Sequence, residues 1–208
     1  MVDSSDKGEI RRRLLAARRS LSAPDLARAA HRVRGTAVDL VRRVGPTAVA
    51  AYAPIGDEPG GPDLPVVLAS ALPPPARLIL PVLRDDLDLD WAAWTAGAPL
   101  AAVPRGLREP TGPRLGRSAV AQAGLVFVPA LAVDRRGLRL GRGGGSYDRA
   151  LSQVSPSALV VALLHDGEIV DRLPAEPHDR AVRAAITPGG GLVWLDEEPS
   201  DAADLALG

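Results

Sequence analysis

The sequence predicts an α/β fold, a three-layer sandwich with a mainly parallel sheet. Short apolar runs typical of buried strands alternate with segments of helical periodicity along most of the chain. The 208 residues fit one domain with a core that needs no covalent cross-links, and cysteine is absent, which excludes a disulfide framework and thiolate chemistry. We therefore predict a single domain over 1–195, followed by an acidic, disordered tail over 196–208.

Helix periodicity and capping signals place the helices. The segment Ser22-Ala-Pro-Asp25 resembles a capping box and predicts the start of a long helix. The arginines at 11–13 and 18–19 are interpreted as the solvated face of the helix before it. The predicted helices cover 7–21, 22–44, 62–72 and a segment that ends at about 153.

Apolar runs place the strands. Leu87, Leu89, Trp91 and Ala93 alternate with other residues, which predicts a half-buried strand over 85–94. The proline- and glycine-rich segment 96–117 is predicted to be a long loop. The other predicted strands cover 47–53, 78–83, 125–129, 159–164, 182–186 and 192–195.

Charge and hydropathy exclude several classes of protein. The formal net charge is zero, which argues against a general nucleic-acid binder. No apolar run approaches the length of a membrane span, and the N-terminus is polar, without the apolar core of a signal peptide. We expect a cytoplasmic monomer without nucleic-acid or membrane partners.

The segment Leu138–Leu151 is the most informative part of the chain. Successive backbone N–H groups of a glycine-rich turn, followed by a helix N-terminus, form an anion-binding concavity, and Arg139, Arg142 and Arg149 add positive charge. The alternative is a flexible surface turn. The segment lacks the lysine of a Walker loop, and Ser146 replaces the third glycine of a dinucleotide fingerprint. The four glycines are Gly141, Gly143, Gly144 and Gly145.

Four other residues are candidates for a site. Asp148, close to bound phosphates, makes sense if Mg²⁺ lies between them, but it equally suits the dipole of a helix first turn. Lys7 is the single lysine of a chain that otherwise uses arginine. A site can require this lysine, or it can have survived by chance. Tyr52 and Glu58 follow the carboxyl end of a predicted strand, where ligands bind in open α/β sheets. Glu58 can also be an ordinary solvated acid of a loop.

Taken in order, these motifs resemble the 5-formyltetrahydrofolate cyclo-ligase family over about 7–193. The glycine block followed by Tyr147-Asp148-Arg149 is the specific element, and each other motif is weak alone. The other matching elements are Lys7-x3-Arg11, Tyr52-x5-Glu58, Gly106-x2-Glu109-Pro110, Val128-Pro129, Asp134-x2-Gly137 and Leu173-Pro-x-Glu-x-His178-Asp179.

The resemblance implies an α/β sandwich related to sugar-phosphate isomerases and CoA transferases. It also implies an enzyme that uses ATP and Mg²⁺ to convert 5-formyltetrahydrofolate, which can be polyglutamylated, into 5,10-methenyltetrahydrofolate. The formyl oxygen takes the phosphoryl group, N10 attacks the resulting imidate, and ADP and phosphate are released. Such chemistry requires positioning and positive charge and no protein nucleophile.

The same resemblance implies residue roles. Arg142 and Tyr147 are expected to be catalytic, Tyr52, Glu58 and Tyr147 to bind the folate, and Asp148 and Asp179 to hold Mg²⁺. Contacts to ATP are expected from Lys7, Arg11, Arg139, Gly141, Arg142, Gly143, Gly144, Gly145, Ser146, Tyr147 and Asp148.

Two departures from the family pattern fall where the folate should pack. Ser146 stands where the family usually has the first of two adjacent aromatic residues, and Arg105 stands where an aromatic residue commonly precedes the Gly-x-x-Glu-Pro element. They motivate an alternative prediction, a non-catalytic family member that binds folate or nucleotide.

Overall fold

The computed structural model describes residues 4–176 and 179–195. The predicted tail over 196–208 and His178 of the last motif lie outside the described residues. Among the described residues, no helix is both long and apolar enough to cross a membrane.

The elements alternate along the chain broadly as predicted. The helices are α1 (Ser4–Arg19), α2 (Ala23–Val44), α3 (Leu64–Ala71) and α4 (Ser146–Leu151). The strands are β1 (Ala48–Ala50), β2 (Arg77–Leu83), β3 (Leu89–Trp94), β4 (Leu100–Ala102), β5 (Arg108–Pro110), β6 (Leu125–Pro129), β7 (Ala132–Asp134), β8 (Arg139–Leu140), β9 (Leu159–Leu163), β10 (Ile169–Val170), β11 (Ala184–Thr187) and β12 (Gly191–Trp194).

A seven-stranded sheet forms the centre of the fold, in the order β12-β11-β9-β6-β1-β2-β3. The five inner strands are parallel, and β12 and β3 run antiparallel at the two edges. A second sheet joins β10, β7 and β8, and β4 pairs with β5. The predicted mainly parallel sheet is confirmed.

Two apolar layers cover the faces of this sheet. Val49 and Phe127 belong to the cluster that includes α2 and α3, whereas Ala50 and Val126 belong to the cluster that includes α4. Neighbouring residues of one strand therefore point into opposite layers, as the period of a strand requires. The second layer contains little helix, because α4 has only six residues; the short 3-10 turn at Arg117–Gln122, Val133 and Val182 also contribute to it.

Helix α2 forms where its capping signals predict. Ser22 Oγ accepts a hydrogen bond from Asp25 N–H at the start, and Gly45 adopts the left-handed conformation at the end. Strand β6 has the predicted bounds of 125–129.

The prediction that the arginines of α1 form a solvated face is wrong for Arg18. This side chain is buried together with Leu14, whereas Arg12, Arg13 and Arg19 are exposed. Both buried residues lie on the helix face that also carries Lys7. The physical reason is a buried acceptor, since Arg18 binds the Glu168 carboxylate through two nitrogens, each at 2.7 Å.

Two other predictions around β3 require correction. The strand begins at Leu89 and is buried at five of its six positions rather than half-buried, because the turn over 117–122 packs in the same apolar cluster. Leu87 lies before it in a turn, with φ of 63°. The predicted loop over 96–117 contains the short hairpin of β4 and β5.

A tight turn at Gly137 sets the start of the glycine-rich segment. Gly137 has φ of +82°, and a Cβ there would lie 2.2 Å from the Val182 carbonyl oxygen. Its own carbonyl accepts from Val182 N–H at 2.8 Å. On the other side, the fully buried Asp134 carboxylate accepts from the N–H groups of Leu138 and Leu173. The strand that carries Arg139 is thus fixed on both sides.

Candidate functional site

The described residues enclose a cavity of about 420 Å³ beyond the carboxyl ends of β1 and β6. This is the position at which open α/β sheets bind their ligands. All the residues with an expected catalytic, binding or metal-ligating role line it, namely Lys7, Arg11, Tyr52, Glu58, Arg139, Gly141, Arg142, Gly143, Gly144, Gly145, Ser146, Tyr147, Asp148 and Asp179. Arg149, expected to add positive charge, does not line the cavity and donates to the Leu87 carbonyl oxygen at 2.6 Å.

Helix α1 contributes two cations from successive turns. Lys7 is buried, and its Nζ lies 3.0 Å from Asp179 Oδ2 and 3.4 Å from Glu176 Oε1. Arg11 Nε donates to the Gly141 carbonyl oxygen at 2.9 Å. The helix is therefore joined directly to the glycine-rich turn and to the loop that carries Asp179.

The glycine-rich turn takes backbone conformations that favour glycine. Gly143 has φ of +104°, and Gly145, at +67°, precedes the first residue of α4. A Cβ at Gly141 would lie 2.9 Å from Arg139 Nη1, so this glycine permits the guanidinium to lie directly beneath the turn. The turn lines the cavity, and Arg11 holds its backbone through the Gly141 carbonyl oxygen.

Arg139 lies beneath this turn and pairs with Asp148. Its Nη2 lies 2.6 Å from Asp148 Oδ1, and its guanidinium carbon lies 5.8 Å from the centre of the Tyr147 ring. The buried Arg139 Nε has no hydrogen-bond acceptor among the described residues. An orphaned cationic donor beside the cavity fits a site that an anionic ligand completes.

Arg142 reaches from the glycine-rich turn to the loop after β1. Its Nε lies 3.2 Å from Glu58 Oε1, and its Nη2 lies 3.7 Å from Asp57 Oδ1. The Glu58 side chain is only 9% exposed, so the alternative of an ordinary solvated acid is wrong. Burial raises the pKa of Glu58, and the Ile55 N–H and Arg142 only partly offset this effect.

The two tyrosines of the site are neutral donors. Tyr52 donates to the Pro59 carbonyl oxygen at 2.9 Å and so holds the loop that carries Glu58. Burial raises the pKa of Tyr147, the Glu58 carboxylate raises it further, and Arg139 lowers it in part. Because a neutral phenol is a hydrogen-bond donor, Tyr147 is suited to polarise an oxygen and not to remove a proton.

The remaining wall is mainly apolar, and Arg105 and Arg108 also line it. Leu83, Leu89 and Leu107 line the cavity there, and Glu109 supports the wall by accepting from Leu83 N–H at 2.8 Å. Arg105 lies on the same side with φ of +68°, a conformation that is uncommon for a residue with a side chain. The cavity therefore combines a polar, cationic half with an apolar half.

Sequence reasoning missed Arg18 as a lining residue. The spacing of Lys7, Arg11, Leu14 and Arg18 is that of one helix face, so the periodicity itself contained the signal. The charge of Arg18 was the reason for placing its side chain in solvent. Its partner Glu168 lies far away in sequence, and no local pattern connects the two.

The donor set is compatible with Mg²⁺. Asp148 and Asp179 supply carboxylate oxygens to the same cavity, and Mg²⁺ is typically held by one or two carboxylates together with phosphate oxygens. No group of three or more metal-ligating side chains occurs within 4–176 and 179–195. A metal at this position would therefore depend on a phosphate ligand for much of its coordination.

A sandwich of this topology, with cations, carboxylates and apolar side chains in one cavity, has the features of an enzyme that acts on an anionic ligand. Comparison with known proteins identifies the family. A model of the 5-formyltetrahydrofolate cyclo-ligase family matches residues 3–188, and the chain belongs to that family.

Relatives and solved structures agree with this assignment. The chain is 41% identical over 194 residues to a 5-formyltetrahydrofolate cyclo-ligase of Mycolicibacterium smegmatis, covering 91% of this chain and 97% of that protein. The NMR structure of 5,10-methenyltetrahydrofolate synthetase of Aquifex aeolicus matches with a TM-score of 0.77 and 26% identity, covering 97% of this chain and 99% of the other. A Mycoplasma pneumoniae 5,10-methenyltetrahydrofolate synthetase, 19% identical with a TM-score of 0.68 over 86% of this chain and 97% of the other, shares the fold.

Proposed function

We propose that this protein cyclises 5-formyltetrahydrofolate to 5,10-methenyltetrahydrofolate at the expense of ATP, with Mg²⁺. The observation that carries the proposal is the convergence of all the predicted site residues on one cavity with a cationic half and an apolar half. Family membership supports the reaction, and the arrangement of charges supports a role for a polyphosphate.

The cationic half suits the triphosphate. Lys7, Arg11, Arg139 and Arg142 surround the glycine-rich turn, and phosphoryl transfer requires mainly positioning and positive charge around the moving group. In the structure, Lys7 is paired with Asp179 and Arg139 with Asp148. We propose that nucleotide binding changes these partners, so that the cations contact phosphate oxygens and the carboxylates are released.

Asp148 and Asp179 would hold the Mg²⁺, which when bound neutralises phosphate charge. Their carboxylates would otherwise repel the nucleotide, since like charges at short range are unfavourable in a buried site. The contacts with Lys7 and Arg139 hold both carboxylates in place before the nucleotide enters.

The apolar half suits the pterin ring. Glu58 would accept hydrogen bonds from the ring's N–H groups, and its burial makes such bonds strong. Tyr147, a neutral phenol, would donate to the formyl oxygen and orient it toward the phosphoryl group. Arg142, close to Glu58 and part of the glycine-rich turn, lies where the two substrates would meet.

The proposed reaction needs no nucleophile from the protein. The formyl oxygen attacks the terminal phosphorus and ADP leaves. The N10 lone pair then attacks the formyl carbon, N10 loses its proton, and phosphate departs with the former formyl oxygen. The residues of the cavity position the two substrates and stabilise the charge that moves between them.

The proposal is tested by mixing purified protein with 5-formyltetrahydrofolate, ATP and Mg²⁺ and measuring methenyl product, ADP and phosphate in equal amounts. Turnover that requires all three components supports the proposal. Binding of folate or nucleotide without turnover would instead favour the non-catalytic alternative that Ser146 and Arg105 motivate. Size-exclusion chromatography with light scattering tests the predicted monomer, and fractionation of cells tests the predicted cytoplasmic location.

A further inference from the structure

A buried ion pair between Glu168 and Arg18, which lines the cavity, connects α1 to the body of the protein. Arg18 Nε lies 2.7 Å from Glu168 Oε1, and Arg18 Nη2 lies 2.7 Å from Glu168 Oε2 and 2.6 Å from the Ala130 carbonyl oxygen. The side chains of Arg18 and Glu168 are 2% and 6% exposed. A bidentate pair of this kind fixes both the position and the rotation of the helix that carries Arg18.

The rotation of α1 matters because one helix face carries three cationic contacts. Lys7 and Arg11 lie on the same face as Arg18 and contact Asp179 and the Gly141 carbonyl. Apolar docking of α1 comes from Leu14, buried among Leu131, Ala132, Leu140 and Leu173, with Ile10 and Leu15 partly buried against the same cluster. The Arg18–Glu168 pair adds a directional contact that fixes the rotation of the face that carries Lys7 and Arg11.

The same carboxylate also holds the opposite wall of the cavity. Glu168 Oε2 accepts from His165 N–H at 2.7 Å, and His165 Nε2 lies 2.8 Å from the Asp57 carbonyl oxygen. A carbonyl cannot donate, so Nε2 carries the proton of this bond. Asp57 immediately precedes Glu58, the residue proposed to bind the pterin.

We infer that Glu168 is a positioning residue that holds the nucleotide wall through Arg18 and the folate wall through His165. The inference rests on the proposed function. One buried carboxylate thereby sets the separation of two substrates that must react with each other. Small displacements of either wall affect the reaction strongly, because phosphoryl transfer depends on the alignment of its reactants.

Variants of Arg18 and of His165, the two residues that Glu168 holds, should have different effects. Arg18→Met should raise the KM for ATP about tenfold and the KM for 5-formyltetrahydrofolate less than about twofold, because it releases α1 and leaves the bond from His165 N–H to Glu168 and the contact of His165 with Asp57 in place. His165→Leu should show the reverse preference, and Glu168→Gln should raise both KM values. Arg18→Lys keeps the charge without the bidentate geometry and should give a smaller rise in the KM for ATP than Arg18→Met.

A matched control separates positioning from general destabilisation. Arg117 likewise makes ion pairs through two nitrogens, with Asp88 at 2.6 Å and Asp86 at 2.7 Å, but its side chain is 44% exposed and does not line the cavity. Arg117→Met should leave both KM values unchanged at a temperature where the protein is folded. Equal changes of both KM values in Arg18→Met, or no change in the folded variant, would overturn the inference.

A second variant keeps the test valid if Arg18→Met does not fold. The double variant Arg18→Met, Glu168→Gln removes both buried charges and retains an acceptor for His165 N–H, so the cost of an unpaired buried charge disappears. It should fold and still show the raised KM for ATP, and a wild-type KM would overturn the inference.

Calorimetric titration with ATP separates the two proposals. If the wild-type protein turns over its substrates and the variants bind ATP with the wild-type Kd, only the role of Glu168 is overturned. If wild-type protein binds ATP without turnover, the proposed function fails, and a tenfold weaker Kd in Arg18→Met still supports the positioning role. Wild-type protein that neither turns over nor binds ATP overturns both.

Discussion

Lys7 Nζ lies 3.0 Å from Asp179 Oδ2, although the two residues are 172 positions apart in the chain. The contact joins the first helix to the loop before β11, and both side chains line the cavity. Asp179 also accepts from Glu176 N–H at 2.8 Å, which fixes the carboxylate. A buried ammonium held in this way is available to an incoming phosphate without further ordering of its side chain.

Replacement of Lys7 should therefore reduce turnover more than it reduces stability. We expect Lys7→Ala to lower kcat/KM about 100-fold, the usual effect of removing one positioned cation from a charge-stabilising site. Lys7→Arg should also lose activity, because a planar guanidinium does not fit the place of a compact ammonium. Steady-state kinetics measure the effect.

Arg12→Ala, at an exposed position of the same helix, is the matched control and should retain wild-type kinetics. Full activity in Lys7→Arg would show that the single lysine of the chain reflects chance survival. An unchanged rate in Lys7→Ala would remove Lys7 from the mechanism.

Substitution of Asp148 distinguishes its two possible roles in the first turn of α4, as a Mg²⁺ ligand or as a charge that complements the helix dipole. If Asp148 holds Mg²⁺, Asp148→Asn should raise the Mg²⁺ concentration for half-maximal turnover about tenfold. It should also leave metal-free binding of ADP equal or tighter, because a repulsive charge is lost. Turnover at varied Mg²⁺ and calorimetry with EDTA measure the two effects.

Asp39→Asn, on the exposed surface of α2, controls for the loss of one negative charge. If Asp148 only complements the helix dipole, Asp148→Asn would lower the free energy of unfolding and leave the Mg²⁺ dependence as in the wild type.

The raised pKa of Glu58 gives a pH dependence with a defined sign. Protonation removes the charge that binds the pterin, so the KM for 5-formyltetrahydrofolate should rise as pH falls through this pKa, at a higher pH than for an ordinary glutamate. Glu58→Gln should abolish this limb of the profile, whereas Asp63→Asn, on the exposed start of α3, should retain it.

Stability provides a second readout for Glu58. Because the pKa is higher in the folded state than in the unfolded state, the folded protein binds the proton more tightly between the two values. The free energy of unfolding should therefore fall as pH rises through that window, and the Glu58→Gln variant should lack this decline. Urea unfolding at a series of pH values measures it, and identical slopes in both proteins would contradict the assignment.

Gly137, in the turn before Arg139, is predicted to tolerate no side chain without a large loss of stability. Gly137→Ala combines a left-handed backbone with a Cβ 2.2 Å from the Val182 carbonyl oxygen, and should lower the free energy of unfolding by about 3 kcal/mol. Gly45→Ala, with φ of +59° and open space around the Cβ, should cost only about 1 kcal/mol. Equal losses of the free energy of unfolding in the two variants, measured by urea unfolding, would show that backbone strain alone sets the cost of Gly137→Ala.

The fold could be predicted where its signals are local. Helix α2 begins and ends at residues whose capping chemistry is visible in the sequence, and β6 is a continuous apolar run between turn residues. Strand β3 could not be predicted as buried on both faces. The residues that cover it come from the turn over 117–122, and only the tertiary structure brings the two segments together.

The site could be predicted as a set of residues but not as a set of pairs. The glycine block indicated Arg139, Arg142 and Asp148 because they are neighbours in sequence. The pairing of Arg142 with Glu58 depends on the position of the loop after β1, and the pairing of Arg18 with Glu168 depends on how α1 docks. No sequence pattern indicates either of these two pairings.

Near-ultraviolet absorbance of 5-formyltetrahydrofolate mixed with this protein, ATP and Mg²⁺ tests the proposed cyclisation directly. The methenyl product should appear only when all the components are present, and it should be lost in the Lys7→Ala variant. The absence of product from folded wild-type protein that binds ATP would contradict the proposed cyclisation and leave a nucleotide-binding protein without cyclo-ligase activity.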